Sequence, residues 1–215
     1  MDVVLNNMDL LLQGFTVTLQ LIGLSTIFAF AGGCILAMMR ISPVPLLQKI
    51  ATAYTETFRN VPTAVILFFT LFALPQVGLK LSFFGAAVVG LSIYYAAFFA
   101  ESIRSGINSI PAGQFEAARA VGMPFDMTVR LVVLPQSLRA VVPPLINNFI
   151  ALAKSSAIAS AFGVAELLTS ADQLIPANPD AVMVILAAVA LFYLAITVPA
   201  GLASHYLERK VAMTK

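Results

Sequence analysis

Five long apolar segments leave this chain few ways to fold. A membrane span needs about 20 apolar residues to cross about 30 Å of hydrocarbon. Segments 15–39, 61–79 and 81–100 contain no Asp, Glu, Lys or Arg. Segment 140–165 is apolar except for Lys154, and 181–207 carries no ionisable group beyond His205 and Tyr side chains. Charged residues make up 10% of the chain, against about 25% in an ordinary soluble domain, and mean hydropathy is +0.95. The expectation is an all-α membrane protein of five transmembrane helices. Asp2 and Asp9 stand where a cleavable signal peptide would carry basic residues, so the first segment is expected to be retained.

Basic residues orient the spans. Arg40, Lys49 and Arg59 lie between the first two segments, Arg104, Arg119, Arg130 and Arg139 between the third and fourth, and Arg209, Lys210 and Lys215 after the last. The opposite side holds only Lys80, and the connection 166–180 has three acids and no Lys or Arg. The positive-inside rule then predicts the N-terminus outside and the C-terminus in the cytoplasm. Residues 41–58, with Lys49 and Glu56, either lie along the interface or extend the second span as a long tilted helix. Pro43 and Pro45 mark the turn before them, and a tight turn at 77–82 joins spans two and three.

A charged island at 109–135 interrupts the apolar pattern. Pro111 suits the first turn of a helix. Phe115, Ala118 and Val121 fall along one side, and Glu116 and Arg119 are spaced to pair at i,i+3. Gly122 suits the left-handed turn that ends a helix, Pro124 starts a second short helix, and Pro135 bounds it. The stretch reads as a cytoplasmic elbow, a natural handle for a soluble partner.

Residues with chemistry are few. The single Cys34 and single His205 exclude the usual metal clusters, and Cys34 reads as a small packing residue. No Gly-x-x-x-x-Gly-Lys-Ser/Thr loop is present, so the chain is not expected to hydrolyse ATP. A net charge of +2 and the lack of a recognisable module argue against nucleic acid. Lys154 stands out, because a charge near the bilayer centre costs about 2.5–3.5 kcal/mol on insertion scales. Asn147, Ile150 or Ala151, and Lys154 share a helical face that would line a hydrated cavity, with Asn148, Ser155 and Ser156 beside it. The bland alternative pairs Lys154 with a neighbouring acid. Pro143 and Pro144 open the same segment and would bend it. Glu56, Arg59 and Asn60 precede the second span, either as an i,i+3 interfacial anchor or facing the cavity. Glu101 and Arg104 read as anchors, and Asp172 and Asp180 as solvated loop charges.

Glu116-Ala117-Ala118, three residues, Gly122, nine residues, then Val132-x-Leu134-Pro135 resembles the EAA signature of bacterial ABC importer permeases, with Val132 in place of the usual Ile. Gln13-Gly14-Phe15-Thr16-Val17-Thr18 is similar to the opening of the polar amino-acid (histidine/glutamate/glutamine-type) subfamily. Glu56-Thr57-Phe58-Arg59-Asn60-Val61-Pro62, Glu101-Ser102-Ile103-Arg104-Ser105-Gly106 and Leu134-Pro135-Gln136-Ser137-Leu138-Arg139 resemble its further motifs. Arg40-Ile41-Ser42-Pro43-Val44, Phe58-Arg59-Asn60 and Ala153-Lys154-Ser155-Ser156-Ala157-Ile158-Ala159-Ser160 look most like glutamate permeases of actinobacterial type. Many members carry an acid after the lysine, and Ser155 replaces it here, which makes the cavity less hostile to an anion.

The resemblance implies a type I importer fold, one permease domain over 1–215, and 109–135 as its coupling loop. It implies a bacterial cytoplasmic membrane, a second permease subunit, two ATPase subunits that bind ATP and Mg, and an extracytoplasmic amino-acid-binding protein. Glu116, Ala117, Ala118, Gly122 and Pro135 would belong to the ATPase-coupling element. The substrate would be a polar amino acid, with glutamate or aspartate first and glutamine, arginine, histidine or cystine as alternatives. A stand-alone secondary transporter is the rival from another class. The elbow, five spans and no visible repeat argue against it. A membrane-embedded enzyme lacks a nucleophile–base or metal set.

Overall fold

Apolar runs free of internal Pro become long unbroken helices. The first becomes α2 (Met8–Ile41), preceded by a short α1 (Asp2–Asn6). It is longer than the expected 15–39 because the flanking residues 8–14, which include Met8 and three leucines, and Arg40 and Ile41 continue the helix. The computed structural model describes residues 2–212. Lys215 and the side chain of Lys210, both counted among the C-terminal basic residues, lie outside the described residues.

The remaining helices are α3 (Pro45–Asn60), α4 (Thr63–Phe68), α5 (Phe83–Asn108), α6 (Ala112–Ala120) and α7 (Phe125–Thr128). They are followed by α8 (Leu134–Ser156), α9 (Leu167–Leu174) and α10 (Val182–Ala212). Among the described residues, four segments are long and apolar enough to cross a membrane: Met8–Ile41, Phe83–Asn108, Phe125–Phe162 and Pro179–Arg209. A fifth is reached only if the pair Pro45–Asn60 and Thr63–Val77, bent by 105° at their junction, is taken as one broken span. That bend excludes the long tilted helix as the path of 41–60. Pro62 has no N–H to continue the helix and biases Val61 toward extended backbone, where it sits at ψ 139.

Three prolines behave differently from expectation. Pro135 does not bound the elbow's second piece, because the helix begun at Phe125 runs through it into α8. A π-helical turn at Val129–Val133 comes first, with the Leu134 N–H donating to the Val129 carbonyl. The wider turn relieves the clash between a proline ring and the carbonyl four residues back. The same device at Phe69–Ala73 precedes Pro75, with the Leu74 N–H donating to Phe69. Pro143 and Pro144 do not open the fourth span. They lie inside α8, which passes through both. The spans also end differently from their apolar limits. α5 continues to Asn108, eight residues past the 81–100 segment. The fourth ends in a 3-10 turn at Ala157–Phe162, stopped by Gly163 at φ 87.

Packing rests on α2 against α5, which run parallel. A Cβ on Gly33 would lie 2.6 Å from the Phe99 Cβ and 3.1 Å from the Ala100 N, so the two backbones touch. This close approach is what Gly32-Gly33 suggests in the sequence. α8 returns antiparallel along α5, where a Cβ on Gly106 would lie 3.1 Å from the Val141 backbone. α10 runs antiparallel to α8, with Ser204 near Pro143 and Asn147. One core cluster joins Leu21, Ala29, Leu67, Leu91, Phe99 and Leu152 from α2, α4, α5 and α8. A second joins Leu11, Leu167, Leu174 and Ile185 at the end opposite the elbow. Large apolar side chains such as Ile27, Phe69, Met183 and Leu202 face outward, as a lipid solvent allows.

Gly33→Val is predicted to destabilise the fold by about 1–3 kcal/mol through overpacking. Gly23→Ala, with nothing within 4 Å of the new Cβ, should not destabilise and is expected to raise stability by up to about 1 kcal/mol through helix propensity. Apparent Tm in detergent compares the two.

Candidate functional site

The elbow forms as two helical pieces with Gly122 between them. Gly122 has φ 86, a left-handed conformation that costs other residues roughly 1–2 kcal/mol. Its N–H donates to the Arg119 carbonyl at 3.0 Å, and Met123 N–H donates to the Ala118 carbonyl at 3.1 Å. Pro111 and Pro124 sit just before α6 and α7 as their caps. Ala118 is buried against the rest of the loop, whereas Glu116 and Ala117 are exposed. The Phe115 and Phe125 rings lie 5.9 Å apart, locking the two pieces together. Two expectations for the loop fail. Val121 does not share the inward side of Phe115 and Ala118; it is 75% exposed, because the helix has already ended at Ala120. Arg119 does not pair with Glu116. Its Nη1 donates to the Met123 carbonyl at 2.9 Å, where it helps close the turn.

A second set of residues gathers at the helix ends around Glu101. Its Oε2 accepts from Arg40 of α2, and both of its oxygens accept from Arg104, one bond being from Nε at 3.2 Å. Arg59 of α3 stands 3.9 Å from the same Oε2 and 5.9 Å from the Phe98 ring centroid. Three guanidinium groups thus share one carboxylate. Arg40 is only 12% exposed and also donates to Thr55 at 3.2 Å, making it a strut. Arg59 and Arg104 keep 36% and 32% side-chain exposure. Arg59 therefore does not form the i,i+3 pair with Glu56 that its spacing allows, since Glu101 is the acid within its reach. Glu56 is exposed, and its carbonyl accepts from Asn60 Nδ2 at 2.7 Å.

The polar residues of α8 divide between two faces. Asn147, Ala151 and Lys154 are all exposed on one side of the helix, with Ile150 half-buried. Asn147 Oδ1 also lies 3.4 Å from the Ser204 hydroxyl. Among the described residues no acid pairs with Lys154, which stands in the last turn of α8. Asn148, Ser155 and Ser156 point inward instead. Asn148 donates to Ser102 at 2.9 Å, Ser155 shares a 2.7 Å hydrogen bond with Tyr95, and buried Ser156 donates to the Ala153 carbonyl at 2.8 Å. These three tie α8 to α5 and to itself.

One residue escapes the sequence reading. Glu166, counted there among loop acids, is 0% exposed. It caps α9, accepting from Leu168 N–H at 2.7 Å and Thr169 N–H at 3.2 Å. Its other oxygen accepts from Thr18 at 3.0 Å and Tyr193 at 2.8 Å. The available signal was its place directly after an apolar segment and before Leu167-Leu168. Asp172 and Asp180 are exposed, as their loop setting implies.

Burial pushes the Glu166 carboxyl above the ordinary carboxylate range, and hydrogen bonds from Tyr193, Thr18, Leu168 and Thr169 bring it back only in part. The folded protein then holds this proton more tightly than the unfolded chain. The resulting stability is full below the ordinary glutamate pKa and is lost as pH rises through the raised value. The apparent Tm of the native protein minus that of Glu166→Gln is predicted to fall as pH rises across this window. A difference that grows with pH would contradict the burial argument.

Comparison with known proteins places this geometry. Residues 29–213 match the family described as binding-protein-dependent transport system inner membrane component. The chain is 38% identical to a probable glutamine ABC transporter permease protein, GlnM, of Bacillus subtilis (strain 168), over 98% of this chain and 97% of that one. It is 40% identical to the glutamate transport system permease protein GluC of Corynebacterium efficiens, over 95% of each chain. A crystal structure of an amino acid ABC transporter with histidines superposes with a TM-score of 0.87 at 31% identity, covering 96% of both chains. A family match spanning most of the chain, with relatives aligned nearly end to end, means that this protein belongs to the binding-protein-dependent transport system inner membrane components.

Proposed function

We propose that this chain is the permease subunit of an ATP-driven importer for a polar amino acid, and that an acidic amino acid, glutamate or aspartate, is its substrate. The whole of 1–215 is one permease domain, with the N-terminus outside and the elbow and C-terminus in the cytoplasm of a bacterial cell membrane. Two ATPase subunits, which bind ATP and Mg, dock on the elbow. A second permease subunit completes the pathway, and an extracytoplasmic binding protein delivers the amino acid.

The observation that carries the substrate reading is the exposed Lys154, unpaired among the described residues, on the face shared with Asn147 and Ala151. An ammonium group without a protein carboxylate is free to meet a substrate carboxylate. The Glu101 cluster adds to this bias. It holds three arginines against one glutamate, with Arg59 and Arg104 still partly exposed, and Glu56 and Asn60 border it. Ser155 and Ser156 serve the same path indirectly, by fixing the end of α8. A second reading, glutamine, is favoured by the similarity to GlnM. A neutral amide side chain does not need the extra cation.

The coupling reading rests on the elbow's outward face, where Glu116, Ala117 and Val121 are exposed around the turn at Gly122. Small side chains permit close docking, and Pro135, held inside a continuous helix, transmits the elbow's movement into α8. Nucleotide-driven closure of the ATPases would move this rigid piece and switch the spans between two packed states.

In the reconstituted complex, Lys154→Ala is expected to lower L-glutamate uptake by about tenfold or more while changing L-glutamine uptake by less than about twofold. Equal effects on both substrates would remove Lys154 from acidic-substrate selection. Gly122→Val should cut uptake and substrate-stimulated ATPase activity by about tenfold or more with membrane insertion unchanged. Normal coupling in that variant would remove the elbow from ATPase docking.

A further inference from the structure

Glu166 is a buried acid that the path proposed above does not use. Its two carboxyl oxygens receive four donors: the Leu168 and Thr169 N–H groups on one, and the Thr18 and Tyr193 hydroxyls on the other. These donors come from α9, α2 and α10. Thr18 in turn accepts from Leu167 N–H at 3.0 Å. A network satisfied at every member holds its geometry firmly in a low-dielectric interior, and a donor left unpaired there is costly.

The network also leads inward. Tyr193 lies on α10, which packs antiparallel along α8 with Ser204 beside Asn147, so about three helical turns before Ser204 it stands level with the end of α8. Ser156 is the last residue of α8, two positions after Lys154. The intervening Ser155 shares its 2.7 Å hydrogen bond with Tyr95 of α5. A thread thus runs by hydrogen bonds from the cap of α9 to Tyr193 of α10, by helix packing from α10 to the terminus of α8, and by the Ser155–Tyr95 bond on to α5. Beside Glu166, between α2 and α9, lies a cleft of about 230 Å³ bordered by Gln13, Thr169, Ser170 and Gln173. The polar side chains around it are uncharged apart from Glu166, and it gives α9 room to shift.

We propose that Glu166 is a positioning residue that, through Tyr193, couples the placement of α9 to the placement of the α8 terminus bearing Lys154. This rests on the reading that Lys154 lines the substrate path. Tyr193 is the discriminating position. Removing its hydroxyl cuts the thread but leaves the Leu168 and Thr169 bonds that cap α9, so a purely structural cap would be unaffected.

The test uses the complete importer in proteoliposomes, with L-glutamate and L-glutamine as probes. A spin label sits on α9 at exposed Asp172, as Asp172→Cys in a Cys34→Ser background. Tyr193→Phe is expected to loosen the label's EPR line shape and raise the apparent KM about fivefold, with kcat within about twofold. Thr18→Ser, which keeps a hydroxyl facing Glu166, should match the parent in both measurements. An unchanged line shape in Tyr193→Phe would overturn the tether. A loosened label with unchanged KM, or a loss confined to kcat, would overturn the coupling to the path. Failure of the parent to take up either probe would overturn the substrate reading, and the line shape would still decide the tether.

Discussion

The fold depends on the contact between the α2 and α5 backbones. A lipid solvent supplies no hydrophobic drive to bring two apolar helices together, so association relies on close van der Waals contact and internal polar bonds. Gly33 against Phe99 and Ala100 supplies the contact, and Gly90 against Leu67 and Thr70 extends it to α4. Ser92, within the same seam, donates to Val88 at 2.6 Å inside α5 and lies 3.4 Å from the Ser25 carbonyl of α2. Once these helices are seated, α8 can return along α5 through Gly106, and α10 can follow α8. The functional side chains take their positions from this order of packing.

The second governing constraint is that every polar group within an apolar fold needs a partner. The protein meets it in two ways at its prolines and acids, while the buried hydroxyls of Ser25, Thr26 and Ser137 have no hydrogen-bond partner among the described residues. Backbone groups disturbed by proline are accommodated by widening the helix, as at Val129–Val133 before Pro135 and at Phe69–Ala73 before Pro75. Side-chain acids are surrounded by donors. Glu101 takes arginines from three helices, and Glu166 takes hydroxyls and N–H groups. The two acids differ in the sign of what surrounds them. Around Glu101 the cations outnumber the acid, leaving positive potential that reaches the surface. Around Glu166 the donors are neutral and the carboxyl is sealed from water. One arrangement suits attraction of an anion, and the other suits a joint between helices.

Much of this was legible before the structure. The apolar segments announce the spans, Gly122 announces the turn of the elbow, and Gly32-Gly33 announces a close helix contact. Where local reasoning failed, either a partner far along the chain or a different local backbone geometry had won. Arg59 is three residues from Glu56 yet takes Glu101, 42 positions away in number. Arg119 is three residues from Glu116 yet closes its own turn by donating to a carbonyl. Pro135 looked like a stop because a helix of regular pitch cannot hold a proline well, and the π turn removes that objection. Ser155 and Ser156 looked like path residues beside Lys154, but helical geometry sends them to the opposite face.

The sequence by itself determined that this is a helical membrane protein with a polar elbow near its middle, and which family motifs that elbow carries. Composition and spacing suffice for this, since they act through solvent transfer and local backbone preference. Only the tertiary structure decided which charges are spent on one another and which are left over. Arg40, Arg59 and Arg104 converge on Glu101, Glu166 disappears into a junction of α2, α9 and α10, and Lys154 remains unpaired among the described residues. These outcomes follow from how helices from distant parts of the chain cross. Pairing falls off over a few ångströms, and distance along the sequence carries no information about such approaches.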